Sequence, residues 1–243
     1  MRGAPLIILA VDSSERRGTV AVLRDGETVA MSAHTDASDY SEWLIPAVEE
    51  VLGRAAIGME SVKVYAVSTG PGSFTGVRVG LTAVKAWCEV YGKPVVGVSR
   101  LEALARSTHG SSGLVAAYYD AQRSQIFAGI YRLDFGRCIR IGDEMVIAAE
   151  GFLERLEREA LEGPVQWVSL DPELVLPLEG WSARVAKGDS MQHLPAELAP
   201  MIGRIAEERA VREAFTDPLE LDANYVRRSD AEIFWKGPAA HGR

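Results

Sequence analysis

Apolar and polar positions follow two different periods along this chain. Leu6–Val11, Thr19–Arg24 and Thr28–Ala33 are short runs rich in β-branched residues, separated by Asp12-Ser13-Ser14-Glu15 and by Asp25-Gly26. The second separator is a strong hairpin signal, so the chain is predicted to open as a three-stranded meander. Between Ser41 and Leu52 the period lengthens: Trp43, Leu44, Val48, Val51 and Leu52 fall on one helical face, and Gly53 ends the run. A strand Val62–Val67, a glycine-rich helix to about Tyr91 and a strand Pro94–Val98 complete a β-β-β-α-β-α-β order.

A related pattern then restarts. Leu114–Tyr119 runs into Asp120, and after a polar turn Gln125–Tyr131 follows. This repeats the strand, Asp, turn, strand order of the first residues. Downstream the periods weaken to a helix over Ala149–Ala160, a strand Val165–Leu170, a Pro-rich stretch reaching Pro200 and a helix from about Pro195 to Val211. With no low-complexity linker between them, the two halves are expected to share a broad interface. The division expected is 1–107 for a first lobe and 108–243 for a second, degenerate lobe with a C-terminal helix and tail, part of it packing back on the first.

Charge narrows the function classes. The formal net charge of −8 removes the broad basic face that grips a nucleic-acid backbone, so any RNA substrate must be held by a partner. Arg16-Arg17 and Arg227-Arg228 read as solvated surface. Cys88 and Cys138 belong to no Cys-x-x-Cys pair and are too few for a disulfide scaffold, which fits a reducing cytoplasm. The apolar run Pro5–Val11 is halted by Asp12 and reads as a strand, too short for a secretion signal or a membrane span.

Candidate chemistry centres on Ser68-Thr-Gly-Pro-Gly-Ser-Phe-Thr-Gly-Val-Arg-Val-Gly-Leu81, where a strand empties through a glycine-rich turn into a helix that Ser73 can cap. Such a loop is expected to present bare N–H groups to an anion. It is neither a P-loop, since Val77 and Arg78 follow Gly76, nor a dinucleotide fingerprint, since Thr75 stands at the third glycine's place. Gly72, Gly76 and Gly80 recur four apart and stack along one helical face. Something must pack there closely, either a second helix of the same domain or a partner subunit.

Other constellations point away from catalysis. His34, His109, His193 and His241 are isolated from one another and from the cysteines, so no metal site is expected. Pro71 and Thr75 flank Ser73 where a hydrolase elbow needs glycines. Asp12-Ser13-Ser14 occupies the turn where kinase-type and actin-like folds hold Mg²⁺ and phosphate; the preferred reading is an ordinary Asp/Ser turn, and no second phosphate loop follows. In Asp120-Ala-Gln-Arg123 the preferred reading is an Asp–Arg pair bracing a turn, with Arg123 as an anion fork the alternative. Tyr225-Val-Arg-Arg228 is either a tail strand or a docking strip.

Together these residues resemble the TsaB (YeaZ) family, bacterial subunits of the machinery that makes threonylcarbamoyladenosine beside the tRNA anticodon. Ile8-Leu-Ala-Val-Asp-Ser13 is similar to the family's opening strand and turn, Gly70–Gly80 to its glycine-rich signature, Asp120-Ala-Gln-Arg to its Asp-Ala-Arg strip and Tyr225-Val-Arg to its Tyr-Leu-Arg. Two departures stand out. Tyr40-Ser41-Glu42 replaces the family's His-Ser-Glu, and Gln122 lengthens the Asp-Ala-Arg strip so that Arg123 is displaced.

The resemblance implies an α/β, actin-like (ASKHA, ribonuclease H-like) fold of two related lobes, with mixed sheets flanked by helices. It implies a cytoplasmic, non-catalytic subunit that binds the catalytic subunit TsaD and works beside the ATPase TsaE, with TsaC supplying the threonylcarbamoyl-adenylate. tRNA is reached through the complex, the chain alone is compatible with either a monomer or a homodimer, and no cofactor is expected, the complex interface being the one place where ATP or ADP could bind. Its partner surface is expected at Ser41, Glu42, Gly72, Ser73, Phe74, Thr75, Gly76, Arg78 and Gly80, and a vestigial phosphate site at Asp12, Ser13 and Ser14. The competing reading is an active ATPase, kinase or peptidase of the same fold using Asp12 as Mg²⁺ ligand.

Overall fold

The structure, a computed structural model, describes residues 4–34, 39–159 and 163–226. Strands β1 (Ile7–Asp12), β2 (Thr19–Arg24), β3 (Glu27–Ala33), β4 (Val64–Ser68) and β5 (Val95–Val98) form one sheet in the order β3-β2-β1-β4-β5. The first three make the antiparallel meander that Asp25-Gly26 predicts, and β4 and β5 run parallel to β1. Parallel neighbours need a crossover, supplied by α1 (Tyr40–Ala55) and α2 (Phe74–Tyr91). Every residue of β1 is buried because both faces of the sheet are covered.

The second sheet holds β6 (Ser112–Asp120), β7 (Ile126–Asp134), β8 (Arg137–Ile147), β9 (Val165–Ser169) and β10 (Ser190–His193) in the order β10-β9-β6-β7-β8. Traversed from β8, this is the strand order and direction of the first sheet again, so the echo at Asp120 marks a true structural repeat. The sequence reading missed β8, an edge strand in which Glu144 alone is buried and apolar alternation is weak. It also missed β10 and the short helices α3 (Arg100–Arg106) and α5 (Glu179–Ala186). Helix α4 covers Ala149–Arg158, and the Ala160 end expected for it lies outside the described residues. Helix α6 (Ala199–Val211) starts later than Pro195, with Pro200 in its first turn, where the missing N–H costs nothing.

The two halves are interleaved. Helix α3, which closes the first set of elements, packs on β6 and β7, whereas α6 packs on β1, β2 and β4. A single inner core therefore joins Ile8, Ala10 and Val96 to Leu101 and Leu104, to Ile202 and Ile205, and to Val115, Tyr119 and Phe127. Outside it, α1 and α2 cover the far face of the first sheet, and α4 and α5 that of the second. After α6 the chain returns to the first sheet, where Thr216 bridges Val95 and Leu221 fills the outer core. Among the described residues no helix is long and apolar enough to cross a membrane.

Candidate functional site

The glycine-rich loop closes on the β1–β2 turn. The Ser73 N–H donates to the Ser14 carbonyl at 2.7 Å, and the Ser13 hydroxyl donates to the Gly76 carbonyl at 2.7 Å. Ser73 caps α2 through its Oγ, which accepts from the Gly76 N–H at 3.2 Å, and Ser68 Oγ accepts from the Gly70 N–H at 3.3 Å. These N–H groups, expected to be bare, are taken up by the chain itself.

The same contacts correct the reading of the glycine stripe. A Cβ on Gly72 would lie 2.0 Å from the Ser14 carbonyl oxygen, one on Gly76 2.1 Å from that of Ser13, and one on Gly80 2.4 Å from Ser13 Oγ. Gly72, Gly76 and Gly80 thus turn toward their own β1–β2 turn, not toward a second helix or a partner. The stripe is needed because a strand end and its turn press on the helix, with no room for a methyl group between them.

Beneath this contact lies a buried polar cluster. Asp12 and Arg100 are both fully buried, and Arg100 Nε donates to Asp12 Oδ2 at 2.9 Å. Asp12 Oδ1 accepts from the N–H of Ser14 at 3.1 Å and from its hydroxyl. Arg100 Nη2 approaches Glu15 Oε2 at 2.9 Å, a charge contact whose angle falls short of a hydrogen bond. The guanidinium also lies 4.6 Å from the centre of the Tyr119 ring, whose hydroxyl donates to the Pro71 carbonyl at 2.7 Å. Burial works to lower the Arg100 pKa, but Asp12 and Glu15 outweigh it and hold the group above its usual value.

The position of Asp12-Ser13-Ser14 therefore differs from the expected phosphate site. All three residues are buried, Asp12 is neutralised by Arg100, and the two serines hold the glycine loop. No open face is left on them for a phosphate or a hydrated cation. Arg100, the residue that decides this, went unread in the sequence. Its signal was Ser99-Arg-Leu-Glu102, a capping-box spacing that starts α3, and Ser99 Oγ does accept from the Glu102 N–H at 3.3 Å. Among the described residues no group of three or more His, Cys, Asp or Glu side chains could hold a metal ion.

Tyr40, standing where the family has His, turns inward. Its ring is the next contact a Gly76 Cβ would meet, at 3.0 Å, and its hydroxyl is buried without a hydrogen-bond partner among the described residues. Burial, reinforced by Glu15 and Asp12, pushes its pKa up to about 12. In the β6–β7 turn Asp120 braces Gln122: the carboxylate accepts from the Gln122 N–H at 2.7 Å and from its Nε2 at 2.6 Å. Gln122, Arg123 and Ser124 all take left-handed backbone conformations.

The outward side of α1 and α2 is different in kind. A groove of about 560 Å³ is lined by Ser41, Leu44 and Ile45 of α1 and by Phe74, Thr75, Arg78, Val79, Thr82 and Ala83 of α2. Ile45 is 46% exposed and Phe74 39%, unusual for large apolar side chains so close together. Ser41, Phe74, Thr75 and Arg78 of the expected partner surface line this groove; Glu42 and Ser73 are exposed, while the three glycines face away from it. At its edge sits Tyr225, placed by the Asn224 N–H bond to the Thr69 carbonyl at 2.7 Å and by the Asn224 side chain on Glu144. The Tyr225 ring stacks on Phe74 at 5.3 Å. Arg227 and Arg228, expected to continue this strip, lie outside the described residues.

Comparison with known proteins agrees with this geometry. Residues 32–172 match the family model described as TsaD, tRNA N6-adenosine threonylcarbamoyltransferase. The tRNA threonylcarbamoyladenosine biosynthesis protein TsaB of Haemophilus influenzae is 30% identical over 243 residues, covering 95% of this chain and 96% of its own. TsaB of Bacillus subtilis is 27% identical over 234 residues, with 95% and 98% covered. The solved structure of YeaZ from Pseudomonas aeruginosa superposes with a TM-score of 0.71 at 22% identity, covering 90% of this chain and 99% of that one. The fold is the actin-like, ASKHA-type α/β fold of two related lobes.

Proposed function

The chain belongs to the TsaB (YeaZ) family of tRNA threonylcarbamoyladenosine biosynthesis, and from that premise we propose that it is a non-catalytic subunit that binds TsaD and holds it competent for transfer to tRNA. The observation that carries this reading is the state of Asp12. In an active enzyme of this fold the carboxylate at the first turn must reach a metal-bound phosphate. Here it is fully buried, paired with Arg100 and bonded by Ser14. A chain that has spent this carboxylate on its own packing is left with surfaces, not a reaction centre.

The surface offered is the α1/α2 groove, in the segment 1–107 that we take as the partner-facing lobe, with 108–243 supporting it. Exposed Ile45 and Phe74 beside Val79 and Ala83 supply the apolar centre that a stable subunit interface requires. With a net charge of −8, the subunit leaves tRNA to its partners in a cytoplasmic complex that includes TsaE, and any nucleotide to the shared interface. When TsaD is absent, the same apolar groove favours a homodimer.

Two measurements test the proposal. Titration of the purified chain with TsaD should show saturable association that Ile45→Asp disrupts without lowering the melting temperature. The chain alone should hydrolyse no ATP above background. Mg²⁺-dependent turnover abolished by Asp12→Ala would establish the enzyme reading instead.

A further inference from the structure

Glu144 is the one buried residue of β8, and a bulge turns it inward. Ala128 pairs with Met145 but Ile130 with Ile141, so Gly142, Asp143 and Glu144 stand opposite Gly129 alone, a geometry that re-aims side chains. The carboxylate gathers three side chains from distant parts of the chain. Its Oε1 accepts from the Ser99 hydroxyl at the start of α3 and from the Tyr131 hydroxyl of β7, both at 2.5 Å, and its Oε2 accepts from the Asn224 side-chain amide. All three donors are neutral. A carboxylate is expensive to bury among neutral partners, and hydrogen bonds to its charged form are what keep it there.

The segment that ends at Asn224 is held in two different ways. Thr216 is bridged to Val95 and Leu221 is buried in the outer core, so the chain is fixed by packing as far as Leu221. From Asn224 onward the hold is mostly polar: the Asn224 N–H on the Thr69 carbonyl at 2.7 Å, its amide on Glu144, and the Tyr225 hydroxyl accepting from Arg78 Nε at 2.8 Å. The Tyr225 ring on Phe74 and the partly buried Val226 add the apolar contacts. A segment with so few contacts opens at a free energy well below that of global unfolding. The Asn224 bond to Glu144 is only part-buried, so water can take its place on Oε2 while Ser99 and Tyr131 keep Oε1.

We propose that Asn224–Val226 is a strap with a closed and a released state, and that Glu144 is the buried anchor that holds it closed, with Tyr225 over Phe74 and Arg78. The second sheet thereby sets how much of the outer face of α2 is uncovered, since Glu144 reaches that face through Asn224 and Tyr225. Release leaves the root of the strap in place, because Leu221 stays in the core. Glu144 and Asn224 are positioning residues, and the device requires no assumption about what the α2 face binds.

Amide exchange followed by NMR on the full chain tests this in wild type, Asn224→Ala and Asn224→Asp. In wild type the Asn224 amide should exchange at least about tenfold faster than the amides of central strand β1, which open only with the whole fold. Asn224→Ala removes the side-chain bond and leaves Ser99 and Tyr131 on Glu144. Exchange at position 224 should then rise about tenfold or more and the cross-peaks between the Phe74 and Tyr225 rings should fade, with β7 exchange and melting temperature unchanged. Asn224→Asp sets a second carboxylate against Glu144 and should release the strap further than Asn224→Ala does. Wild-type exchange at Asn224 as slow as that of β1 would show that no released state exists, and a strap no more open in Asn224→Asp than in Asn224→Ala would show that Glu144 is not its anchor. Either result overturns the proposal, as would a rise in exchange shared equally by β7.

Discussion

Gly76→Ala is the smallest change that separates an inward-facing glycine stripe from one that faces a partner. The added methyl carbon would sit 2.1 Å from the Ser13 carbonyl oxygen and 3.0 Å from Tyr40 Cε2. Ordinary packing distances are about 3.5 Å, so the helix and the turn must part by roughly 1 Å or more. The turn cannot yield cheaply, because Ser13 is bonded to the Gly76 carbonyl and Ser14 to Ser73 and Asp12. Overpacking of this kind costs about 1–3 kcal/mol, and here the upper end applies because the obstacle is backbone. Against it stands a gain of roughly 1 kcal/mol in helix propensity. The expected net loss is about 2 kcal/mol, a fall in melting temperature of roughly 2–4 °C for each kcal/mol in a chain this long. Gly53→Ala is the control: it lies in α1 with nothing within 4 Å of its would-be Cβ, so it should stabilise by about 0.5–1 kcal/mol. Urea melts of both variants and titration of each with TsaD decide the matter. A Gly76→Ala chain as stable as wild type but deficient in TsaD binding would refute the inward assignment.

The buried cluster and the thiols give further expectations. Asp12→Ala strands Arg100 in the interior and should cost about 3–5 kcal/mol in denaturant melts, yet the folded variant should support tRNA modification within a few-fold of wild type; loss by many orders of magnitude in folded protein would contradict a binding role. Arg100→Ala strands Asp12 and should destabilise comparably, about 3–5 kcal/mol, whereas a double Asp12→Asn, Arg100→Met variant should recover part of that loss; full additivity would show that the pair is not coupled. Burial holds the Tyr40 pKa at about 12 against its ordinary 10.0, so the unfolded chain loses the proton first. That contribution to stability is complete below about pH 10 and disappears as the pH rises through about 12; Tyr40→Phe should show a smaller alkaline loss, and an unchanged alkaline limb would contradict it. Burial likewise pushes the Cys88 thiol up to about 11, so iodoacetamide at pH 8 should modify it only after unfolding, as followed by mass spectrometry.

Local periodicity alone determined much of this protein. The three-strand meander, helices α1 and α2, and the restart at Leu114 were legible because β1, β2 and β4 are apolar runs bounded by turn residues and the helices carry a 3.6-residue stripe. The Gly70–Gly80 signature was equally legible and carried the family with it. What it could not carry was direction. A glycine every fourth residue announces that something packs closely, but any of several surfaces satisfies that demand, and only the folded chain put Ser13 and Ser14 there. Edge strand β8 escaped because exposure on its outer positions erases alternation. The decisive pairs were the least visible: Asp12 with Arg100 is 88 residues apart in sequence, and Arg78 with Tyr225 is 147. Side chains this distant are brought together by the packing of whole elements: Arg100 opens α3, and Tyr225 lies in the segment that returns to the first sheet after α6. The reason is physical: backbone propensity and periodicity act over a few neighbouring residues, whereas the partner of a buried charge is set by how whole layers pack.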